Sequence, residues 1–537
     1  MNKWMKYVFL AYLLFGTLLV GDYGLSMDEP VQRKHGIVAF EYVNELTGWY
    51  PDLPNLTVEH LPTYDHRDYG MLFQMVAYQL ELAMGIDNTR DIFRLRHLMV
   101  FVLFWAAAWV FYRILYVRFK SAPLALVGML MLVLSPRIFG DSMYNPKDIP
   151  LLCWFVFAFY THIRFVDEKD RYGPVLHGLA CALAIGSRVV GVVWPVVSLG
   201  YLLCHLIIQR SSKTDLLFFV KRISFFLLFL LGFTYLLWPV LWEDPIGVFL
   251  HSFNSMKQFR WYAEMLYMGQ MVRSTELPWH YIPVLISVTT PLAILLAILS
   301  GLLVMFRNAW KYRQKLFVQT NLGQDTVALG VALIPLLAVV LFGSVLYNGW
   351  RHLYFIYPFL VYLGVLSIDA LINLYRRKHA NLFVKVFTIG FLGLTTWDIG
   401  NTVYFLIKYH PHQSVYFNFL AGDVEKNFER DYYGVSYKEG LTQLLERYPN
   451  KSLRIYSLDF IGRINTMVFT KQEAERLVFV DNPKDAEFFI TLFTFRSKQE
   501  YQKYIQNEYP YNQPLDFAVK VKEYRTLQVY RLDAPSF

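Results

Sequence analysis

Several groups in this sequence have the residue types and spacing needed for proton transfer and phosphate binding. Asp28-Glu29 follows the first apolar run. On a short tether beneath a covering loop, such a pair is held against a membrane and partly desolvated, which suits a general base. Its plainer use is to mark the outer membrane edge, where water and headgroups solvate a carboxylate. The stretch SPRIFGDSMYNPKDIP, 135–150, carries Tyr144, Lys147 and Asp148. Asp148 reads as the N-cap of the helix that follows, with a proline in its first turn. A carboxylate and an ammonium at a helix N-terminus also suit a polar substrate and its phosphate. Arg90, Arg94, Arg96 and His97 open the second apolar run, and Arg351-His352 follows Tyr347-Asn348-Gly349-Trp350. Interfacial arginines commonly snorkel to headgroups; several converging on one face form a receptor for a lipid phosphate. His280, within LPWHYIP, suits proton transfer or a phosphate contact, and equally a place in an aromatic belt beside Trp279 and Tyr281. The sequence has no HExxH, no CxxC and no compact Asp/His cluster, so no metal set is expected; the absence of a Walker loop and of GxGxxG removes a nucleotide pocket. No cofactor is predicted.

Such groups need a frame, and composition says which kind. Of 537 residues, 55% are hydrophobic and only 17% charged, with a mean hydropathy of +0.31. That excludes a wholly soluble chain, a disordered one and a disulfide scaffold. Cys153, Cys181 and Cys204 all lie inside apolar runs, as small buried hydrophobes do. Apolar runs at about 4–20, 97–117, 121–136, 149–165, 173–187, 189–208, 218–241, 281–306, 326–346, 352–374 and 383–407 predict roughly eleven membrane helices. The first is read as a retained helix, because Gly21-Asp22-Tyr23 offers no small-residue cleavage site.

The net charge of +9 is better explained by topology than by a nucleic-acid partner. With the N-terminus in the cytoplasm, every inner segment is basic: Lys3 and Lys6; Arg113, Arg118 and Lys120; Arg164, Lys169 and Arg171; Arg210, Lys213, Lys221 and Arg222; Arg307, Lys311, Arg313 and Lys315; Arg376, Arg377, Lys378 and Lys385. This requires Gly186-Ser187-Arg188 to be a tight outer turn between two short helices. The long loops 21–93 and 242–280 and the tail after Lys408 then lie outside the cytoplasm, so any chemistry is expected there. Loop 21–93 has turn residues at Pro51, Pro54 and Pro62 and an interfacial helix over Met71 to Met84.

The expected fold is therefore mainly α, a polytopic membrane unit over 1–407 with a soluble extracytoplasmic α/β domain over 408–537. In the tail, Ser436-Tyr437-Lys438-Glu439 has the pattern of a capping box opening a helix. Strands are predicted at Leu453 to Leu458, Arg476 to Val480 and Ala486 to Phe495, and a second helix at Gln499 to Glu508. Phe517 to Val521 and Thr526 to Leu532 form a closing hairpin.

The ensemble of motifs resembles the GT-C class of polytopic glycosyltransferases, in particular the family 39-like group of dolichyl-phosphate-mannose protein mannosyltransferases and the aminoarabinose transferase of lipid A. The resemblance rests on Met27-Asp28-Glu29, YGMLFQ (Tyr69 to Gln74), RLRH (Arg94 to His97), NPKDIP (Asn145 to Pro150), LPWHYIP (Leu277 to Pro283) and NGWRHLYFIYP (Asn348 to Pro358). The tail segments HPHQSVYFN (His410 to Asn418) and ERDYYG (Glu429 to Gly434) are similar to those of bacterial members. It implies a polyprenyl-phosphate sugar as donor, an extracytoplasmic lipid, glycan or protein acceptor, and inverting single displacement in a bacterial inner (plasma) membrane. It also implies Asp28 as base, Glu29 as its or the acceptor's positioner, Asp148 as the second acidic position, and Arg94 or Arg96 on the phosphate. Lys147 and Arg351 would complete the phosphate receptor, and His280, His352 and Tyr144 would be substrate contacts. The chain lacks the β-trefoil insert of the protein mannosyltransferases and has fewer spans than the aminoarabinose enzyme, so neither acceptor carries over.

Two other classes compete. A transporter or flippase would place ionisable residues deep within helices and show pseudo-symmetric halves; the charges here collect on one face. A non-catalytic scaffold would use the tail to hold a partner.

Overall fold

The computed structural model describes residues 3–51, 53, 59–209, 213–257, 262–377 and 381–532. Pro54, Arg210 and Lys378, read above as turn and inner-loop residues, lie outside them. Among the described residues nine helices are long and apolar enough to cross a membrane: Trp4–Asp22, Thr89–Phe119, Asp148–Val166, Val189–Gln209, Leu216–Leu237, Leu292–Phe317, Thr320–Phe342, Arg351–Tyr375 and Leu382–Lys408. Two shorter apolar helices, Ala122–Val133 and Gly173–Ile185, complete the bundle. The chain is an integral membrane protein. Arg351–Tyr375 lies at its centre, with 78% of its apolar window buried, whereas Leu382–Lys408, at 17%, runs along the outside.

The two short helices shape one end of the bundle. At 1.5 Å per residue, 12 and 13 residues rise only about 18–20 Å, well under the roughly 30 Å of a bilayer core. Ser121 caps the first, its hydroxyl accepting from Leu124 N at 3.4 Å, with Pro123 in the first turn. Beyond Leu134 the chain does not continue outward but turns into the six-residue helix Pro136–Asp141 and a buried loop to Asp148. The second stops at the turn Gly186-Ser187-Arg188. Both stop short at the same end, and the recess they leave is lined by the segments that follow them.

Loop 21–93 covers this recess. It contains the expected interfacial helix, Leu72–Ala83, and a second helix, Glu29–Thr47, that apolar periodicity does not announce because much of its buried face is polar: Glu29, Gln32, His35 and Glu41. Gly70 packs directly on the turn at 186, where a Cβ would stand 1.7 Å from the Gly186 carbonyl oxygen, so any side chain there would push the loop off the recess. The run predicted over 281–306 is broken into Tyr281–Thr289 and Leu292–Tyr312 at Pro291. Asn418 fills the break: its Nδ2 donates to the carbonyls of Ser287 (2.7 Å) and Thr290 (2.8 Å), which would otherwise lack a donor at a helix end.

The tail adds an α/β unit. A hairpin between the helices, β1 (Glu264–Tyr267) with β2 (Gln270–Arg273), precedes it. The tail's strands are β3 (Leu453–Ser457), β4 (Leu477–Val480), β5 (Phe488–Leu492), β6 (Leu515–Val521) and β7 (Tyr524–Arg531), in spatial order 4-3-5-7-6. β3 runs parallel to β4 and β5, and β7 is antiparallel to β5 and β6. The helix Ser436–Arg447 buries Leu441 and Leu444 against Ile455, Ile490 and Leu527. It forms without the expected capping box: Glu439 is 2.5 Å from His412 Nε2, and the carboxylate of Asp431 receives Ser436 N instead, at 2.7 Å. The long-range pairing with His412 wins over the local cap. A buried connection, residues 411–418 and 430–437, joins this unit to the recess end of the bundle.

Candidate active site

Asp28 stands one residue before the Glu29–Thr47 helix. Glu29 accepts from Ser26 N (2.7 Å) and Ser26 Oγ (3.0 Å) and lies 2.7 Å from His97 Nε2, whose other ring nitrogen is 3.1 Å from the Val20 carbonyl. Both Glu29 oxygens are thus used in holding the turn, and it is Asp28, 19% exposed, that faces the recess.

There it meets a compact set of charges. Arg351 Nη1 is 2.5 Å from Asp28 Oδ2 and 3.4 Å from Asp148 Oδ2. Arg188 Nη2 is 3.1 Å from the other Asp148 oxygen. Asp148 Oδ2 also receives the Tyr433 hydroxyl at 3.1 Å and Asn145 Nδ2 at 3.2 Å. Asp148 therefore does not act as the N-cap: Asn145 Oδ1 receives Lys147 N (3.1 Å) and Asp148 N (2.9 Å) in its place, which frees the Asp148 side chain for the arginines. Lys147 places its ammonium 4.7 Å from the centre of the Tyr69 ring.

Burial alone would raise the Asp28 carboxyl, but Arg351 and Lys147 outweigh it and hold the group at about 2. Burial pulls the Lys147 ammonium down to about 8, with Asp28 opposing and Arg188 and Arg351 reinforcing the fall. Three cations, Lys147, Arg188 and Arg351, face two carboxylates. One positive charge is in excess in a buried place, and Arg188 Nε and Arg351 Nε have no hydrogen-bond partner among the described residues. Buried guanidinium donors without acceptors fit an anion.

An apolar groove of about 290 Å³ leads to these cations. Val189, Val193, Pro335, Ala338, Phe342 and Leu346 line it, and Arg188, Asp68, Tyr69, Tyr347 and His352 supply its polar lining. Ile334 and Phe342, 44% and 69% exposed, open it toward the lipid-facing side of the bundle.

Of the residues singled out in the sequence, Asp28, Lys147, Asp148 and Arg351 come together here, and His352 lies in the groove beside Tyr347, ring centroids 4.6 Å apart. Arg96 does not join them. It is buried against Glu81, 2.5 Å away, and Gln74 Oε1, 2.8 Å away. Gln74 in turn donates to the Pro146 carbonyl at 2.8 Å, so Arg96 supports the Lys147 loop from behind. Arg94 is half-exposed and 3.7 Å from Asp91. His280 pairs with the Tyr267 hydroxyl of β1 at 2.7 Å, away from the cluster. Tyr144 donates to Asp141 at 2.7 Å and packs edge-on to Tyr433, centroids 5.5 Å apart, behind Asp148. Arg188, Asn145, Tyr69 and Tyr433 are site residues that sequence reasoning missed. A lone arginine inside the apolar stretch 173–208 was the available signal for Arg188; Tyr433 lies in the ERDYYG segment quoted for the resemblance, which gave it no role.

No known family profile matches the sequence, and no curated protein matches it. Among solved structures, ArnT from Cupriavidus metallidurans bound to undecaprenyl phosphate is similar over 98% of both chains, with a TM-score of 0.50 and 11% identity. The apo oligosaccharyltransferase from Archaeoglobus fulgidus is similar over 91% of this chain, with a TM-score of 0.50 and 12% identity. The chain spans 66% of that oligosaccharyltransferase's length. The fold is thus that of the polytopic GT-C glycosyltransferases. Within that class the likeness to ArnT runs the length of both proteins, tail included.

Proposed function

We propose that this protein is a membrane glycosyltransferase that moves a sugar from a polyprenyl-phosphate donor to an extracytoplasmic acceptor by a single inverting displacement. The observation that carries the reading is the apolar, lipid-facing groove that reaches Arg188, whose partner Asp148 is shared with Arg351 beside Asp28 and Lys147. A lipid with one phosphate matches it: the prenyl chain takes the groove and the phosphate takes the excess positive charge. In the reaction the acceptor hydroxyl attacks the anomeric carbon, the bond from that carbon to the phosphate oxygen breaks, and Asp28 receives the hydroxyl proton. The leaving phosphate passes from one negative charge to two, so the three cations bind the transition state better than the ground state. Arg351 pairs with Asp28 in the free protein; a donor phosphate competes for that guanidinium and leaves the carboxylate a stronger base where the acceptor arrives. The basic residues gathered at the opposite end of the bundle support a cytoplasmic placement of that end and an extracytoplasmic site.

The test is transfer, or slow donor hydrolysis, from labelled polyprenyl-phosphate pentoses and hexoses by the purified protein. Asp28→Asn is expected to bind donor and lose transfer. Full transfer by that variant sinks the assignment.

A further inference from the structure

One residue of the C-terminal unit reaches the site in two ways. The Tyr433 carbonyl accepts from Met27 N at 3.0 Å, tying down the residue before Asp28. Its hydroxyl donates to Asp148 Oδ2 at 3.1 Å, is 3.4 Å from Arg351 Nη1, and accepts from Asn145 Nδ2 at 2.5 Å. Its ring lies 5.2 Å from the Arg351 guanidinium carbon. The side chain is almost wholly buried, 2% exposed.

The same unit grips the rest of the Asp28 segment. Asn465 clasps Leu25 from both sides, accepting its N–H at 2.9 Å and donating to its carbonyl at 3.0 Å. Lys438 donates to the Gly21 carbonyl at 2.6 Å, and Tyr23 donates to Gln413 Oε1 at 2.7 Å. At Gly24 a Cβ would stand 2.4 Å from the Val435 carbonyl oxygen, so the segment lies flat on the tail's backbone.

The position of Arg351 makes the hydroxyl consequential. Its Nη1 stands between Asp28, 2.5 Å away, and Asp148, 3.4 Å away. Asp148 leaves Arg351 on the Asp28 side because other donors, the Tyr433 hydroxyl among them, already serve its oxygens. Without that hydroxyl, Oδ2 loses a donor, and the nearest replacement is the guanidinium itself.

We propose that Tyr433 is a positioning residue for sugar transfer, occupying Asp148 so that Arg351 is not captured there and can pass from Asp28 to the leaving phosphate, and that the C-terminal unit is a working part of the active site. The inference rests on the transfer reading given above and goes beyond it by assigning the tail a role.

Tyr433→Phe keeps the ring and removes the hydroxyl. The expected result is a kcat lower by about 10- to 100-fold, the worth of one hydrogen bond to a charged group. Polyprenyl-phosphate affinity is expected within about twofold of wild type and the unfolding temperature unchanged, because the ring and the groove are intact. Asn465→Ala, which opens the clasp on Leu25, should lower kcat in the same way with donor affinity kept. Wild-type kcat in Tyr433→Phe overturns the proposal. Equal loss of kcat and donor affinity, or of kcat and folding, overturns it too, since the hydroxyl would then bind phosphate or merely stabilise. A wild-type protein that transfers no sugar overturns the transfer reading and this inference with it, whereas a wild-type protein that transfers beside an unimpaired Tyr433→Phe overturns the inference alone.

Discussion

Removing the Arg351 charge tests the electrostatics of the site most directly. In Arg351→Gln the carboxylate of Asp28 loses the partner 2.5 Å away and keeps Lys147. In the intact protein the carboxyl is held from an ordinary 3.8 down to about 2. At 1.36 kcal/mol per unit that is about 2 kcal/mol in favour of the charged form, net of the burial that opposes it. Because the folded value is depressed, this stabilisation is complete above about pH 4 and is lost as pH falls through about 2. Without Arg351, burial and the neighbouring Asp148 act on Asp28 with only the lysine against them, and the carboxyl moves up. Two effects follow. The leaving phosphate loses one of its donors, which lowers kcat by about 10²- to 10³-fold. An acid limb also enters the profile, activity falling toward the acid end of the range, where the intact protein stays flat. Arg351→Lys should recover part of the rate only, since a point charge cannot serve both carboxylates. The assay is sugar transfer and donor hydrolysis from about pH 5 to 8 in detergent, beside donor affinity at each pH. An Arg351→Gln protein with near-wild-type kcat and a flat profile would refute the reasoning.

Lys147, with its ammonium at about 8, loses its charge as pH rises through that value, so affinity for a phosphodiester donor should fall between about pH 7 and 9. Lys147→Arg should hold its affinity across that range; matching curves for the two proteins would remove Lys147 from the phosphate receptor. Ala338→Trp fills the groove without touching a charge, and equilibrium binding should show donor affinity down by at least about tenfold, as expected when an indole occupies a lipid's place. Arg96→Met leaves Glu81 to Arg33, 2.9 Å away, and should cost about 2–3 kcal/mol of stability, read as a lower unfolding temperature. Its donor affinity should change less than that of Arg188→Gln.

How much of this was readable from the chain alone depended on where each residue's partner lies. Asp28, Lys147, Asp148 and Arg351 announced themselves because each stands at the start of a helix, where a charge next to an apolar run is conspicuous. Arg96 was equally conspicuous, yet its partner, Glu81, comes from the neighbouring Leu72–Ala83 helix, and no local pattern tells that pair from a phosphate receptor. Tyr433 meets Asp148 across 285 residues, and its place in the ERDYYG segment says nothing of so distant a contact. The eleven apolar helices were readable from composition, because membrane solvation acts on each segment separately, but among the described residues only nine are long enough to cross, and that the other two stop short of crossing was not readable. The Glu29–Thr47 helix was hidden because its buried residues mix Glu29, Gln32, His35 and Glu41 with apolar ones such as Ile37, Phe40 and Val43, which blurs the apolar period. Glu439 misled for a related reason: its spacing from Ser436 fits a cap, but His412 claims it.

The two short helices have one more consequence. They end about 10 Å short of the bilayer's span, so in a bundle seated across the bilayer the cations that follow them lie deeper than the end of a full-length helix would. A carrier lipid that docks there must sink its phosphate into the protein, and only the links nearest that phosphate fit the groove while the rest of its tail stays among the surrounding lipids. On the proposed reading, discrimination among carriers is spent on the phosphate and the first prenyl links, and the length of the remaining chain is left to whatever the host membrane provides.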